Sequence, residues 1–94
     1  MPTVVTVSFV PPYQADIVRI RHSVFTVEQG IEAALDLDGH DQAAVHVLGW
    51  WDHRFIATGR ILRDGHIGRL AVLGPFRGKG MGRLILAALI TAAR

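Results

Sequence analysis

The sequence predicts an α/β (α+β) fold, built on a mixed but mainly antiparallel sheet with flanking helices. Three observations carry that prediction. Apolar runs of strand length, separated by turn signals, fill residues 43–73; an amphipathic helical stripe precedes them; and a glycine-rich loop joins the last run to a segment of helix formers. The resulting order is strand, helix, acidic loop with a short helical turn, three antiparallel strands, glycine loop, helix, all within one domain spanning 1–94.

Val4 to Val10 is the first strand, stopped by Pro11-Pro12. Ile17, Ile20, Val24 and Val27 then recur at steps of three and four with Arg19, Arg21 and His22 off the stripe, the pattern of an amphipathic helix. Gln29-Gly30 ends that helix, and the acidic stretch to Gln42 reads as a loop with a helical turn around Ala33-Ala34-Leu35. Ala43 to Trp51, a turn at Asp52-His53, Arg54 to Leu62, a turn containing Asp64-Gly65 and a strand from His66 to Leu73 follow; the Asp-Gly pair between apolar strands is a strong hairpin signal. Trp50 and Trp51 are neighbours on a strand, so one faces the core and the other faces outward. Pro75 helps end the last strand, and Arg83 to Arg94 holds no Gly or Pro and reads as a helix.

Composition removes several classes. Half of the 94 residues are hydrophobic, which argues against disorder. The absence of cysteine excludes disulfides, thiolate metal sites and a cysteine nucleophile, and fits a cytoplasmic protein. No basic leader precedes Thr3, and the apolar run Leu84 to Ile90 is far too short to span a bilayer, so no membrane partner is expected. No metal is expected either: His22, His40, His53 and His66 lack ligand spacing, and Asp36, Asp38 and Asp41 lack a calcium-loop register.

Charge is unevenly placed. Glu28, Glu32, Asp36, Asp38 and Asp41 occur with no Lys or Arg among them, whereas Arg54, Arg60, Arg63, Arg69, Arg77, Lys79, Arg83 and Arg94 face only one acid, Asp64. The basic half suits phosphates; the acidic stretch suits a cationic amine or is a solvated face. Nucleic acid is not expected, because the arginines are spread over several elements and no aromatic-interleaved motif accompanies them.

The sharpest motif is Arg77-Gly78-Lys79-Gly80-Met81-Gly82, between a strand and a helix. Glycines bring main-chain N–H groups close to a ligand, and the helix behind aims its unpaired N–H groups and positive dipole end at an anion. A Walker loop does not fit, since Lys79 falls where its second glycine belongs and Gly80 supplies no hydroxyl; a dinucleotide fingerprint fails at Arg83 or Ile85. The pattern [QR]-x-x-G-x-[GA] fits through Arg77, Gly80 and Gly82.

That loop resembles the acyl-CoA pyrophosphate loop of the GCN5-related N-acetyltransferase (GNAT) superfamily. Further matches are similar to its ElaA- and YjcF-type members: Arg21 with Val24-Phe25, Val27-Glu28-Gln29-Gly30, Asp38-Gly39-His40-Asp41, Ala44-Val45-His46, Thr58-Gly59-Arg60 and Ile67-Gly68-Arg69-Leu70-Ala71-Val72. The resemblance covers nearly the whole chain and roughly the N-terminal two-thirds of the superfamily fold. It implies an N-acetyltransferase that moves acetyl from acetyl-CoA to a primary amine, of a small molecule or a peptide, by direct attack in a ternary complex. Acetyl-CoA would lie along Leu70-Ala71-Val72, with its pyrophosphate on the amides of Arg77, Gly78, Lys79, Gly80, Met81 and Gly82, and with charge from Arg77, Lys79 and Arg83. The amine must lose a proton before attack, and Glu28 and His46 are the candidates for that base or its water relay. Their bland alternatives are a loop-ordering carboxylate and a packed histidine.

The departures from the superfamily pattern matter equally. The expected C-terminal strand-helix-strand-strand part does not follow, and the one tyrosine, Tyr13, is not where the superfamily places a proton donor. Leu84, Ile85, Leu86, Leu89 and Ile90 point in too many directions for one covered face, and the strand before the glycine loop would be a sheet edge. The expectation is a homo-oligomer, a complementing second chain or a truncation. A non-catalytic acyl-CoA-binding or assembly module, or an inactive fragment, is the alternative function.

Overall fold

Each strand of the sheet carries side chains to two faces, and the sequence fills both. The computed structural model describes residues 2–94. They form β1 (Thr3–Val7), α1 (Tyr13–Arg21) running on into a π-helical stretch (His22–Glu28), α2 (Ala33–Asp36), β2 (Val45–Trp51), β3 (Arg54–Ile61), β4 (Ile67–Val72) and α3 (Met81–Ala92). The sheet order is β1-β2-β3-β4 with every neighbouring pair antiparallel, so β1 and β4 are its edges.

Val47 and Leu48 show how the period of two builds three layers. Val47 packs with Ala57, Ile61 and the α3 residues Met81, Ile85 and Leu89, while Leu48 packs with Ala71 and the α1 residues Ile17 and Ile20. α1 therefore lies on one face of the sheet and α3 on the other. The α3 layer sits close because Gly49 and Gly59 lie beneath it: a Cβ on Gly59 would come within 2.7 Å of Ile85 Cγ2 and 2.9 Å of Leu89 Cδ1. At the β2–β3 turn, Asp52 (φ 54°) and His53 (φ 64°) are both left-handed, as a two-residue hairpin of the right twist requires. Trp51 packs toward α3 against Phe76, and Trp50 is exposed with its ring edge-on to Phe55.

Four expectations need correction. The first strand ends at Val7, since Val10 N–H turns back onto Ser8 O and Phe9 enters the core against α1. Val27 is 68% exposed instead of continuing the stripe. The switch to π-helical winding after Arg21 widens the turn and carries position 27 off the buried face. Arg21, expected on the polar face, is buried at 1% exposure. The last helix begins at Met81, so Gly82 is inside it. Its buried stripe is Met81, Ile85 and Leu89, while Leu84, Leu86 and Ile90 remain exposed, in keeping with a helix too apolar for one covered face.

Candidate functional site

The site is assembled at the open edge of β4 and the loop that follows it. Leu73 N–H donates to Ile56 O, so Leu73 and, two residues back, Ala71 direct their backbone toward β3. Leu70 and Val72 are out of phase and direct theirs toward the open edge. Just before Ala71 the strand bulges: Arg69 and Leu70 together oppose Gly59, and Arg69 sits at φ 51°, a conformation an arginine holds only when its surroundings impose it.

The glycine loop leaves β4 through a short helical turn, Gly74–Phe76, with Pro75 inside it. Gly78 (φ 78°) and Gly80 (φ 85°) are left-handed, which is why glycine stands at both. A Cβ at either position would meet nothing within 4 Å, so the loop is open on those sides. Gly80 is the N-cap of α3 and no side chain caps the helix, which leaves the first-turn N–H groups available. These residues fit an anionic group such as a pyrophosphate.

The charged side chains of the loop are less free than the sequence implies. Arg77 Nε donates to Val72 O at 2.8 Å, and its two terminal nitrogens grip the Glu28 carboxylate at 2.8 and 3.0 Å. Lys79 Nζ lies 5.8 Å from the Trp51 ring centroid, in cation–π range. Arg83 is exposed in the first turn of α3, Met81 turns its side chain into the core, and Gly82 is half-buried.

Glu28 and His46 are not brought together. Glu28 stands beside Val72 and Gly74 at one end of β4. His46 pairs with Arg60 and Arg60 with Gly68, which places it at the other end, about 13 Å away along the strand axis. His46 is 1% exposed, stacks against Phe9, and its Nε2 meets Asp41 O at 3.0 Å; burial pushes its pKa below the ordinary value despite that contact. Glu28 is the one of the two with solvent access.

The acidic stretch is corrected at its three aspartates. Its aspartates offer no free charge to a cationic amine, because Arg21, Arg60 and Arg69 neutralise them. Arg21 holds Asp36 at 3.2 Å and Asp41 at 2.6 Å; Arg60 holds Asp41 at 2.8 Å and Asp38; Arg69 holds Asp36 at 3.2 Å and Asp38 at 3.0 Å. The hydrogen bond from Arg60 outweighs burial and keeps Asp38 well below the ordinary carboxylate range. Burial works to raise Asp41, but hydrogen bonds from Arg21 and Arg60 overcome it and lower its pKa. Arg60 and Arg69, counted among residues suited to phosphate, are thereby committed to this network. The available sequence signal was an acidic run with no internal partner, which had to find cations elsewhere.

Among the described residues, no group of three or more His, Cys, Asp or Glu is placed to hold a metal, and no helix is long and apolar enough to cross a membrane.

One four-stranded sheet between two helical layers, with a bulged edge strand leading through a glycine loop into a helix N-terminus, is the arrangement of an acyltransferase-type domain. Residues 11–94 match the profile of the acetyltransferase (GNAT) domain, and the chain belongs to that family. Its fold resembles Escherichia coli ElaA, with a TM-score of 0.82 and 27% identity over 99% of this chain and 70% of ElaA. It also resembles an acyl-CoA N-acyltransferase from Pseudomonas aeruginosa at a TM-score of 0.82, over 99% of this chain and 70% of that one; at 24% identity this is a likeness of fold. An uncharacterised Bacillus subtilis (strain 168) protein, YyaT, is 31% identical over 77 residues, which are 76% of this chain and 52% of YyaT. The chain therefore spans about half the length of that curated relative.

Proposed function

We propose that this chain belongs to an N-acetyltransferase acting on a primary amine with acetyl-CoA as donor, by direct attack in a ternary complex. The observation that carries the reading is the open loop at Gly78 and Gly80 beside the uncapped N-terminus of α3, contiguous with the outward backbone of Leu70 and Val72. When bound, acetyl-CoA supplies a thioester carbonyl open to attack by an amine. The N–H groups from Gly78 to Gly82 would bind pyrophosphate, with Arg83, Lys79 and, once drawn from Glu28, Arg77 adding charge, and the outward backbone of Leu70 and the N–H of Val72, whose carbonyl Arg77 holds, would position the donor's arm against β4. A β4 main-chain N–H would stabilise the negative charge that develops on the thioester carbonyl oxygen. Glu28 accepts the ammonium proton, directly or through water; buried His46 stays neutral and holds the Asp41 turn.

Calorimetry with acetyl-CoA and CoA tests the reading. Saturable binding of both is expected, and a folded sample that binds neither refutes it. Thiol release with a panel of amines separates the enzyme from a non-catalytic acyl-CoA-binding module. Exposed Leu86 and Ile90, four residues apart on α3, support association with a second copy or a complementing chain, to be read by sedimentation.

A further inference from the structure

A cleft of about 380 Å³ opens beside the β4 bulge. It is bounded by Phe25 of the π-helical stretch, Ile31 and Leu35 of the acidic segment, and Leu70, with Gln29, Asp36 and Arg69 as polar members of its wall. Apolar carbon here is left open to water: Leu35 is 67% exposed, Leu70 39% and Ile31 38%. The one carboxylate of the wall, Asp36, is buried and held by Arg21 and Arg69.

We propose that this cleft selects acceptors whose amine is carried on an uncharged, apolar body, the arylalkylamine class, over polyamines and basic peptides. The inference rests on the acetyltransfer reading and adds the class of acceptor to it. Charge decides the class. Asp36, Asp38 and Asp41 are balanced by Arg21, Arg60 and Arg69, so the wall holds no surplus carboxylate for a second ammonium and no unpaired guanidinium for an acidic substituent. An apolar body gains by covering Phe25, Ile31 and Leu35, whereas a polyamine would lose hydration without a partner. The Leu70 boundary puts the cleft against the β4 edge, the side where transfer would occur.

The test titrates the isotopically labelled chain with 2-phenylethylamine and with spermidine, following backbone amide shifts, alongside calorimetry with acetyl-CoA. Saturable shifts at Phe25, Gln29 and Leu70 are expected with 2-phenylethylamine and not with spermidine. The exposed, uncharged substitution Leu35→Asn should weaken 2-phenylethylamine about tenfold and leave acetyl-CoA affinity unchanged, while Leu35→Met keeps both. Equal or stronger shifts with spermidine, or an unaffected Leu35→Asn chain, overturn the proposal. Because the amine titration needs no donor, a chain that binds 2-phenylethylamine but not acetyl-CoA sinks the acetyltransfer reading and spares the cleft; the reverse result sinks the cleft alone.

Discussion

Arg77 and Glu28, 49 residues apart, form a two-pronged ion pair across the open end of β4, with the Arg77 Nε on the carbonyl of Val72. The pair joins the pattern arginine of the glycine loop to the candidate base. Both side chains are substantially exposed, at 46% and 37%, so the bond contributes little to folding, within about 1 kcal/mol. Its consequence lies in binding, because an incoming pyrophosphate and Glu28 compete for one guanidinium. Glu28→Gln should tighten CoA about two- to fivefold while lowering amine-dependent thiol release. Arg77→Ala should weaken CoA about tenfold or more, with Arg77→Lys intermediate because an ammonium cannot reproduce the fork. Calorimetry reads both, and a Glu28→Gln chain with unchanged or poorer CoA affinity would remove the competition.

Packing of α3 on the sheet gives a second expectation. At Gly59 an added methyl meets Ile85 and Leu89, two branched residues fixed in the core; at Gly49 it meets the Met81 sulfur at 2.6 Å and Ala57 Cβ at 3.2 Å. Methionine adapts where branched side chains cannot. Gly59→Ala should therefore cost about 1–3 kcal/mol and Gly49→Ala less, measured as urea midpoints. Equal costs would show that the sheet moves instead of the side chains.

The arginine–aspartate network should behave as a buried unit. Arg60→Met leaves Asp41 with Arg21 alone and Asp38 with Arg69 alone, and should destabilise by about 1.5–3 kcal/mol through the lost charge-assisted hydrogen bonds. Recovery of most of that loss in an Arg60→Met/Asp41→Asn chain would attribute it to the underpaired carboxylate, and no recovery would attribute it to lost packing.

The same groups set the pH dependence. Folded His46 has a pKa below its ordinary 6.5, so the unfolded chain binds the proton first and this contribution, whole above pH 6.5, falls as pH drops below it. Asp38 and Asp41 are also lowered, from 3.8, so theirs is whole above that value and lost on further acidification. Urea midpoints at about pH 7.5, 5.5 and 3.5 should fall in two stages, and His46→Gln should flatten the first. A first stage unchanged by that substitution would place its origin in another group.

What was legible in the sequence was local. The period of two in Val47-Leu48, the Asp64-Gly65 turn and the glycine loop before an unbroken apolar helix declare their elements within a few residues, and the fold follows from their order. What was not legible is pairing across the chain. Arg21 reaches Asp36 over 15 residues, Arg60 reaches Asp38 over 22 and Arg69 reaches Asp36 over 33, so the acidic run read as an open surface when it is an internal counterpart. The π-helical winding after Arg21 carries no composition signal, and with it went the burial of Val27. The loop's backbone was foreseeable from its glycines; the capture of Arg77 by Glu28 was not.

Gly80 offers the cleanest separation of folding from binding. Its backbone is left-handed at φ 85°, yet a Cβ there meets nothing within 4 Å, so a substitution meets conformational strain and no clash. For most L-residues that strain is about 1–2 kcal/mol, and asparagine tolerates the conformation best. Gly80→Asn should therefore melt close to the parent chain and Gly80→Val clearly below it. Both place side-chain atoms in the open space beside the loop where the pyrophosphate is proposed to approach the N–H groups of α3. Both should then lose acyl-CoA affinity about tenfold or more, a loss that in the asparagine variant cannot be charged to unfolding. Calorimetry on Gly80→Asn decides the matter: a folded chain that keeps its affinity places the phosphate cradle elsewhere.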